Sequence, residues 1–230
     1  MVSTDQLLER GLAALCEGHP AVAQLLSNRA LAGLLNTYRG EIELFNPAYG
    51  LVGAKDQQEL VVKHLLDSLA PLGSMIRLLG AEDRESRGLL ADVGSGAGLP
   101  GIPLALCLPR FPVTLIERSG RRVRFLRNTL AVLGLSQVTV DAQEMEKAAP
   151  GRFALVTFRA FRPLEPELLK GLFRLLKPGG VLAAYKGRKE MINAEMGAIQ
   201  HLTGGWEAIP TPVPFLDEER HLVVIRGRNG

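Results

Sequence analysis

Ten residues, Asp92-Val93-Gly94-Ser95-Gly96-Ala97-Gly98-Leu99-Pro100-Gly101, follow the apolar run Gly88–Ala91 and lead into a second apolar run, Ile102–Leu108. Glycine stands at every second position from Gly94 to Gly98. Such a backbone has no Cβ to keep a ligand away and can adopt positive φ, so a flat adenosine can lie against it. We therefore expect the chain to bind a nucleoside at this turn.

Short apolar strands alternate with helical patterns around this turn. The predicted strands are residues 89–93, 113–116, 138–140, 153–158 and 180–185, and the predicted helices are residues 102–108, 121–133, 164–176 and 191–202. Continuous apolar strands are typical of a parallel sheet that is covered by helices on both faces. Two β-prone segments, residues 206–214 and 221–225, flank a polar turn and predict a hairpin with an antiparallel strand at the sheet edge. The fold class predicted is α/β, a doubly wound, mostly parallel Rossmann-like sheet with an antiparallel C-terminal hairpin.

The first 87 residues have the leucine spacing of amphipathic helices. The segment Asn46-Pro47-Ala48-Tyr49-Gly50 predicts a break, because proline disfavours the helical conformation of its predecessor and glycine tolerates left-handed turns. Residues 59–72 predict another helix, and residues 81–88, with five charges, are the best linker candidate. We expect an α-helical N-terminal extension over residues 1–87 and the main domain over residues 88–230.

Length and composition favour a soluble enzyme-sized domain. A chain of 230 residues with 47% hydrophobic and 22% charged residues can bury a full core, and no apolar run approaches the roughly 20 residues of a membrane span. The N-terminus lacks a secretory pattern, and Cys16 and Cys107 provide no disulfide framework. We expect a cytoplasmic monomer that does not cross a membrane.

Two nucleoside cofactors compete for the glycine turn. Residues 96–101 satisfy the dinucleotide pattern G-x-G-x-x-G, but Pro100 interrupts the approach to a helix N-terminus and Asp92 would repel a diphosphate. Read from Asp92, the pattern Asp-x-Gly-x-Gly-x-Gly suits a cofactor with a sulfonium cation and no phosphate. We favour S-adenosylmethionine and keep a nicotinamide dinucleotide as the alternative.

Acidic residues follow the strands after the glycine turn. In a doubly wound sheet the ligand lies at the carboxyl ends of strands, and Gly94, Glu117 and Glu144 each follow a strand. Glu117 can accept hydrogen bonds from both ribose hydroxyls. Glu144 can reach the adenine amino group while the polarisable Met145 contacts the ring. Each of these residues also has a simpler interpretation as a surface acid or a core methionine.

Positive charge is concentrated in the glycine-turn half of the chain. Residues 1–87 hold eight Lys and Arg against eleven Asp and Glu, whereas residues 88–230 hold nineteen against thirteen. Five arginines lie within ten residues that contain no acid, namely Arg118, Arg121, Arg122, Arg124 and Arg127. This density favours an anionic polymer, although a solvated helix face is the simpler alternative. Arg159 and Lys186, at the ends of later strands, would add positive charge at the cofactor mouth.

His64, Asp67 and Ser68 suggest a hydrolase, but their setting argues against one. They lie on one predicted helix, and no Gly-x-Ser-x-Gly elbow precedes it, so a satisfied helix histidine is the better interpretation. The remaining histidines are scattered and lack cysteine partners, so we expect no metal site.

The motifs taken together resemble the glucose-inhibited division protein B family, the RsmG-type S-adenosylmethionine-dependent methyltransferases. The segments that carry the resemblance, within residues 36–226, are His64-Leu65-Leu66-Asp67-Ser68-Leu69, residues 92–105, Arg121-Arg122-Val123-Arg124-Phe125-Leu126, Arg159-Ala160-Phe161, Tyr185-Lys186-Gly187 and Glu219-Arg220-His221-Leu222-Val223-Val224-Ile225. Phe158, Ala97 and residues 46–51 depart from the pattern usual in the family.

The resemblance implies a class I methyltransferase sheet and methylation of guanine N7 in small-subunit (16S) ribosomal RNA, free or in its ribonucleoprotein particle. It further implies that Gly94, Leu99, Glu144, Met145 and Arg159 match the family's cofactor contacts, with Glu117 as the ribose acid. We expect Arg121, Arg122, Arg124 and Lys186 to contact RNA.

Guanine N7 has a free lone pair at neutral pH, so the transfer requires no general base and we predict no catalytic acid or base. The alternatives on the same sheet are a nicotinamide oxidoreductase, a small-molecule methyltransferase and a nucleic-acid-binding protein without activity. The arginine-rich helix favours a polymeric substrate, and the glycine turn with Glu117 favours a working enzyme.

Overall fold

The N-terminal part of the chain is helical, as its leucine spacing predicts. The computed structural model describes residues 2–17, 19–80, 89–159 and 163–228. The first helices are α1 (Thr4–Cys16), α2 (Pro20–Leu26) and α3 (Arg29–Tyr49). Ser3 and Gln6 form a capping box at the start of α1. Among the described residues, no helix combines the length and the apolar character that a membrane span requires.

The break predicted over residues 46–50 is present but falls at the end of that segment, because α3 continues through Pro47 and ends at Tyr49. Pro47 lies in the last turn, where the helix loses one backbone hydrogen bond and then stops. Gly50, at φ 59°, provides the left-handed cap and donates its N–H to the Asn46 carbonyl. The Asn46 side-chain oxygen then accepts the N–H groups of Leu51 and Val52, at 2.7 and 2.9 Å. The Asn46 amide thus satisfies the backbone that leaves the helix.

The helix expected over residues 59–72 is present, with an irregular centre. It comprises α4 (Gln57–Leu60), a π-helical segment (Val61–Leu66) and α5 (Asp67–Leu69), and α6 (Leu72–Leu78) follows. Wider π-helical turns are rare and are frequent at functional sites. This one carries His64 and leads directly into Asp67.

The remainder of the chain forms a seven-stranded sheet with strand order β3-β2-β1-β4-β5-β7-β6. Its strands are β1 (Leu90–Val93), β2 (Val113–Ile116), β3 (Val138–Asp141), β4 (Phe153–Arg159), β5 (Leu176–Lys186), β6 (Gly205–Pro210) and β7 (His221–Arg226). The helices between them are α7 (Gly101–Cys107), α8 (Gly120–Leu133), α9 (Pro166–Leu175) and α10 (Lys189–Ile199). Strands β1 to β5 are parallel to one another, so the predicted doubly wound sheet is confirmed.

The C-terminal hairpin and the antiparallel strand at the sheet edge are also confirmed. Strand β7 pairs antiparallel with both β5 and β6, which leaves β6 outermost. Residues His221–Ile225 of β7 are buried, whereas three of the six β6 residues are exposed and the other three are partly buried. The more apolar strand therefore takes the interior position, where both of its faces are covered.

Two apolar cores lie on opposite faces of the sheet. One core joins the N-terminal helices, α7 and α8 to the sheet through residues such as Leu35, Leu66 and Leu115. The other packs α9 and α10 against the second face through residues such as Leu169 and Ile192. The N-terminal helices thus form part of a layer on the sheet. The predicted linker, residues 81–88, lies outside the described residues, and the two-part organisation stays a prediction.

Phe215 occupies a backbone conformation that favours glycine. The turn from Val213 to Leu216 is closed by the Leu216 N–H and the Val213 carbonyl at 3.1 Å, and Phe215 has φ 67°. Any Cβ is strained there by about 1–2 kcal/mol. We expect Phe215→Gly to unfold with a free energy about 1 kcal/mol higher than Phe215→Ala, a comparison in which both variants have lost the ring. Urea unfolding measures this difference, and equal stabilities would contradict the strain.

Candidate functional site

The glycine turn between β1 and α7 needs glycine for its backbone and for its packing. Gly94, Gly96 and Gly98 all have positive φ, at 67°, 60° and 90°. A Cβ on Gly98 would approach Ile102 Cδ1 to 2.5 Å, so the Ile102 side chain would have to move to admit it. Gly94 is exposed at the carboxyl end of β1. The turn therefore presents bare backbone to the space above the sheet.

Glu117, directly after β2, holds this turn in place. Its side chain is 4% exposed, and its two oxygens accept the Gly96 N–H at 2.9 Å and the Ser119 N–H at 2.8 Å. Each carboxylate oxygen can accept a second hydrogen bond. The Arg122 guanidinium lies 3.9 Å from one of them. Glu117 is thus an oriented carboxylate that retains acceptor capacity for two hydroxyl groups.

A cleft of about 420 Å³ opens at the ends of β1, β2 and β4, and we refer to it as the glycine-turn cleft. The sequence-predicted cofactor residues Gly94, Glu117, Glu144, Met145 and Arg159 all line it. Arg118, Arg122, Gln143 and Glu146 are among the other lining residues. The structure therefore brings five of the six predicted cofactor residues together.

Leu99, the sixth predicted cofactor residue, does not line the glycine-turn cleft. Its side chain is 6% exposed and packs in the core that contains the N-terminal helices. Its cofactor contact stays a prediction.

The Asp92 side chain binds the N-terminus of α7. Its Oδ2 accepts the N–H of Gly101, the first residue of that helix, at 3.1 Å. The other oxygen, Oδ1, is buried and has no hydrogen-bond partner among the described residues. Burial raises the pKa of Asp92 to about 7, against a smaller opposing effect of the Gly101 hydrogen bond. A carboxylate thus occupies the position at which a dinucleotide fold binds its diphosphate.

A second cavity, of about 410 Å³, lies between the π-helical turn and the ends of β5 and β7. Its lining is polar and includes Glu59, Lys63, His64, Asp67, Arg159, Tyr185, Lys186, Glu218, Arg220 and His221. Lys186 pairs with Glu195 at 2.8 Å, and Lys63 pairs with Glu59 and Glu218 at 3.2 and 2.9 Å. The cations of this cavity are therefore largely neutralised by carboxylates.

Arg159 lines both cavities, and residues of the N-terminal helices hold its guanidinium group. Its Nη1 donates to Asp67 Oδ2 at 3.0 Å, and its Nη2 lies 3.2 Å from His64 Nδ1. Because a guanidinium can only donate, His64 Nδ1 accepts, and the ring is the neutral Nε2–H tautomer. Burial, and secondly Arg159, lower the pKa of His64 to about 4. His64 is thus a satisfied neutral histidine, as expected, but it contacts a candidate site residue.

The arginine-rich helix α8 starts beside the glycine-turn cleft. Its buried residues include Val123, Leu126, Leu130 and Leu133, the stripe predicted from their spacing. Arg121, Arg124 and Arg127 are exposed and form no ion pair among the described residues, whereas Arg122 is half-buried and directed toward Glu117. The predicted RNA contacts thus divide between an exposed basic face (Arg121, Arg124), the cleft (Arg122) and the second cavity (Lys186).

Comparison with known proteins agrees with this geometry. A family model, GidB, described as rRNA small subunit methyltransferase G, matches residues 32–223. The ribosomal RNA small subunit methyltransferase G of Treponema denticola is 38% identical over 222 residues, covering 86% of this chain and 87% of the relative. The enzyme of the same name from Stenotrophomonas maltophilia is 38% identical over 216 residues, covering 90% and 92%.

Solved structures share the fold. A predicted O-methyltransferase from Agrobacterium tumefaciens aligns with a TM-score of 0.54 and 23% identity, over 70% of this chain and 79% of its own. The tRNA (m1A58) methyltransferase of Aquifex aeolicus aligns with a TM-score of 0.53 and 15% identity, over 68% of each chain.

The family model covers most of the chain and agrees with relatives that align along nearly their whole length. The expected enzyme class, a methyltransferase of small-subunit ribosomal RNA, is confirmed. This chain belongs to the GidB family, the rRNA small subunit methyltransferases G.

Proposed function

We propose that this protein transfers the methyl group of S-adenosylmethionine to N7 of a guanine in small-subunit ribosomal RNA. The observation that carries the choice of cofactor is the Asp92 carboxylate on the first N–H of α7. The Asp92 side chain occupies the helix N-terminus at which a dinucleotide fold would bind its diphosphate. When bound, S-adenosylmethionine supplies a methyl group on a sulfonium cation and carries no phosphate.

The residues of the glycine-turn cleft fit this cofactor. Gly94 lets adenosine lie against the backbone, and the free acceptor capacity of Glu117 suits the two ribose hydroxyls. Met145, buried but open to the cleft, offers a polarisable contact for the adenine ring. Glu144, which is half-exposed, can accept from the adenine amino group. Arg159 stands between this cleft and the second cavity.

The second cavity fits the acceptor base better than a phosphate. Its cations already have carboxylate partners, so a phosphate would have to displace them. A guanine presents an acceptor at O6, beside the N7 whose lone pair must stay free to attack, and N–H donors on its opposite edge. The mixed lining, with Lys186 and Arg220 as donors and Glu218 as an acceptor, can serve both edges. A base in this cavity and a cofactor in the cleft would both contact Arg159.

The chemistry needs positioning rather than proton transfer. Guanine N7 attacks with a lone pair that is free at neutral pH, so no residue has to remove a proton. Holding two reactants in line can supply about 7–11 kcal/mol of the barrier. Arg159 and Lys186 would orient the base, and the ion-paired side chains that line the second cavity would replace the water around it. A base that leaves its stack costs a few kcal/mol, which favours an unpaired guanine.

The test is transfer of tritium from labelled S-adenosylmethionine to small ribosomal subunits, and to free RNA, from cells that lack this protein. Borohydride reduction followed by aniline cleaves RNA at N7-methylguanine, so the labelled position can be mapped. Label at one guanine is expected. Label at another base, on protein or in small metabolites would overturn the proposal, and so would tighter calorimetric binding of NAD than of S-adenosylmethionine.

We expect the exposed basic face of α8 to set RNA affinity. Replacing Arg121 and Arg124 together by alanine should weaken RNA binding and reduce the slope of log affinity against log salt by about 1.5, because two phosphate contacts are lost. Filter binding at several salt concentrations measures the slope. Cofactor affinity should not change, and an unchanged RNA affinity at low salt would contradict this role.

For the setting of the reaction we propose a cytoplasmic monomer that acts on ribosomal RNA or its ribonucleoprotein particle. The exposed basic face of α8 beside the glycine-turn cleft supports a polymeric substrate.

A further inference from the structure

The His64-x-x-Asp67-Ser68 motif lies outside the glycine-turn cleft, yet both side-chain oxygens of its Asp67 have charged partners. Asp67 is 7% exposed. Its Oδ2 accepts a hydrogen bond from Arg159 Nη1 at 3.0 Å, and its Oδ1 forms an ion pair with Arg220 Nε at 3.2 Å. Each oxygen of one carboxylate therefore holds a different arginine on the wall of the second cavity.

The two arginines come from separate parts of the chain. Arg159 ends β4, and Arg220 directly precedes β7. Like charges repel, and most strongly where water is excluded. The side chains of Arg159 and Arg220 are 13% and 22% exposed, and the shared Asp67 carboxylate offsets the repulsion between them.

The same helical turn constrains neighbouring groups. The carbonyls of Lys63 and His64 each lie 3.4 Å from Arg159 Nη1, and the Ser68 carbonyl accepts the Tyr185 hydroxyl at 2.8 Å. The π-helical segment ends at Leu66, immediately before Asp67. The N-terminal layer thus reaches the cavity through one turn of helix.

We propose that Asp67 is a positioning residue for methyl transfer, which acts through Arg159 and Arg220. It sets the guanidinium groups against the acceptor base, so the N-terminal helices determine the geometry of a reaction whose cofactor is held by the sheet. This inference rests on the proposed function.

The test compares Asp67→Asn with the unaltered protein, using small subunits from cells that lack it. Asparagine keeps the shape but removes the charge and one acceptor. We expect kcat to fall about 100-fold, because small misplacements of orienting groups have effects of this size. The Kd for S-adenosylmethionine should change by less than about threefold, because Arg159 retains its contacts with the π-helical turn. Rates are expressed per cofactor-binding site counted by calorimetry, so a loss of folded protein does not lower them.

A double-mutant cycle with Arg220→Gln separates positioning from a structural role. If Asp67 acts through Arg220, the double variant should lose little more kcat than the worse single variant. Asp67→Glu, which keeps the charge but moves it by one methylene, provides a second variant should Asp67→Asn fold poorly, and its kcat should also fall. Glu207→Gln, which makes the same chemical change in an exposed ion pair with Arg226, is the matched control and should be as active as the unaltered protein.

An unchanged kcat in both Asp67 variants would overturn the inference, and so would independent effects in the cycle or a loss confined to cofactor affinity. If the unaltered protein transfers no label to ribosomal RNA, the proposed function itself has failed. The two failures are therefore distinguishable.

Discussion

Replacing Glu117 by alanine is expected to weaken the binding of S-adenosylmethionine by roughly 100- to 1,000-fold. A hydrogen bond to a charged acceptor contributes about 1.5–3 kcal/mol, and Glu117 has acceptor capacity for two ribose hydroxyls. A total loss of about 3–4 kcal/mol corresponds to this factor. The same change removes the acceptors of the Gly96 and Ser119 N–H groups, so the glycine turn should also lose order. Isothermal titration calorimetry measures the affinity directly.

Glu117→Gln refines this prediction. An amide keeps one oxygen and replaces the other by a donor, so it can serve only one of the two N–H groups and fewer ribose hydroxyls. Its affinity should lie between those of the unaltered protein and Glu117→Ala. Glu207→Gln, remote from the glycine-turn cleft, controls for the change of charge. A Glu117→Ala protein that is folded and binds the cofactor within about threefold of normal would refute the ribose assignment.

Much of the fold could be predicted because the relevant physical pattern is local. Parallel strands are buried on both faces, so the strands around the glycine turn are continuous apolar runs. Helix α8 shows its buried stripe in the spacing of Val123, Leu126 and Leu130. The error at Pro47 had a different origin. The end of α3 depends on where the Asn46 side chain finds backbone partners, and composition does not reveal that choice.

The candidate site was predictable where a residue's position on the sheet determines its direction. Gly94, Glu117 and Glu144 follow strands, and the carboxyl ends of parallel strands meet at one edge. Leu99 was not predictable in this way, because a residue within a turn can face either the ligand or the core. Arg122 differs from Arg121 by one position on α8, and that rotation directs it toward Glu117.

The contact between Asp67 and Arg159 could not be read from periodicity. The two residues are 92 positions apart, and their meeting depends on how the N-terminal helices dock on the sheet. The signal that could have indicated it is the motif His64-x-x-Asp67-Ser68, whose Asp67 and Ser68 stand between the apolar residues Leu65-Leu66 and Leu69-Ala70. Such residues need buried partners. The charged groups that follow strands, Arg159 above all, were the available candidates.

The buried Asp92 carboxylate should make stability depend on pH in a way that Asp92→Asn removes. The pKa of Asp92 is raised from 3.8 to about 7, so the folded protein holds a proton that the unfolded chain has lost between these values. Stability should therefore fall as pH rises from about 4 to 7, by roughly 2–4 kcal/mol from this group. His64 acts in the opposite direction, because its lowered pKa, about 4 against 6.5, makes stability rise with pH over much of the same window. The two effects therefore oppose each other in the pH profile of the unaltered protein, whereas the difference in stability between Asp92→Asn and the unaltered protein isolates Asp92.

In urea unfolding without cofactor, the stability of Asp92→Asn relative to the unaltered protein should increase from pH 4.5 to pH 8 by roughly 2–4 kcal/mol. Parallel profiles would mean that the pKa of Asp92 is not raised and that its Oδ1 has a partner in the folded protein.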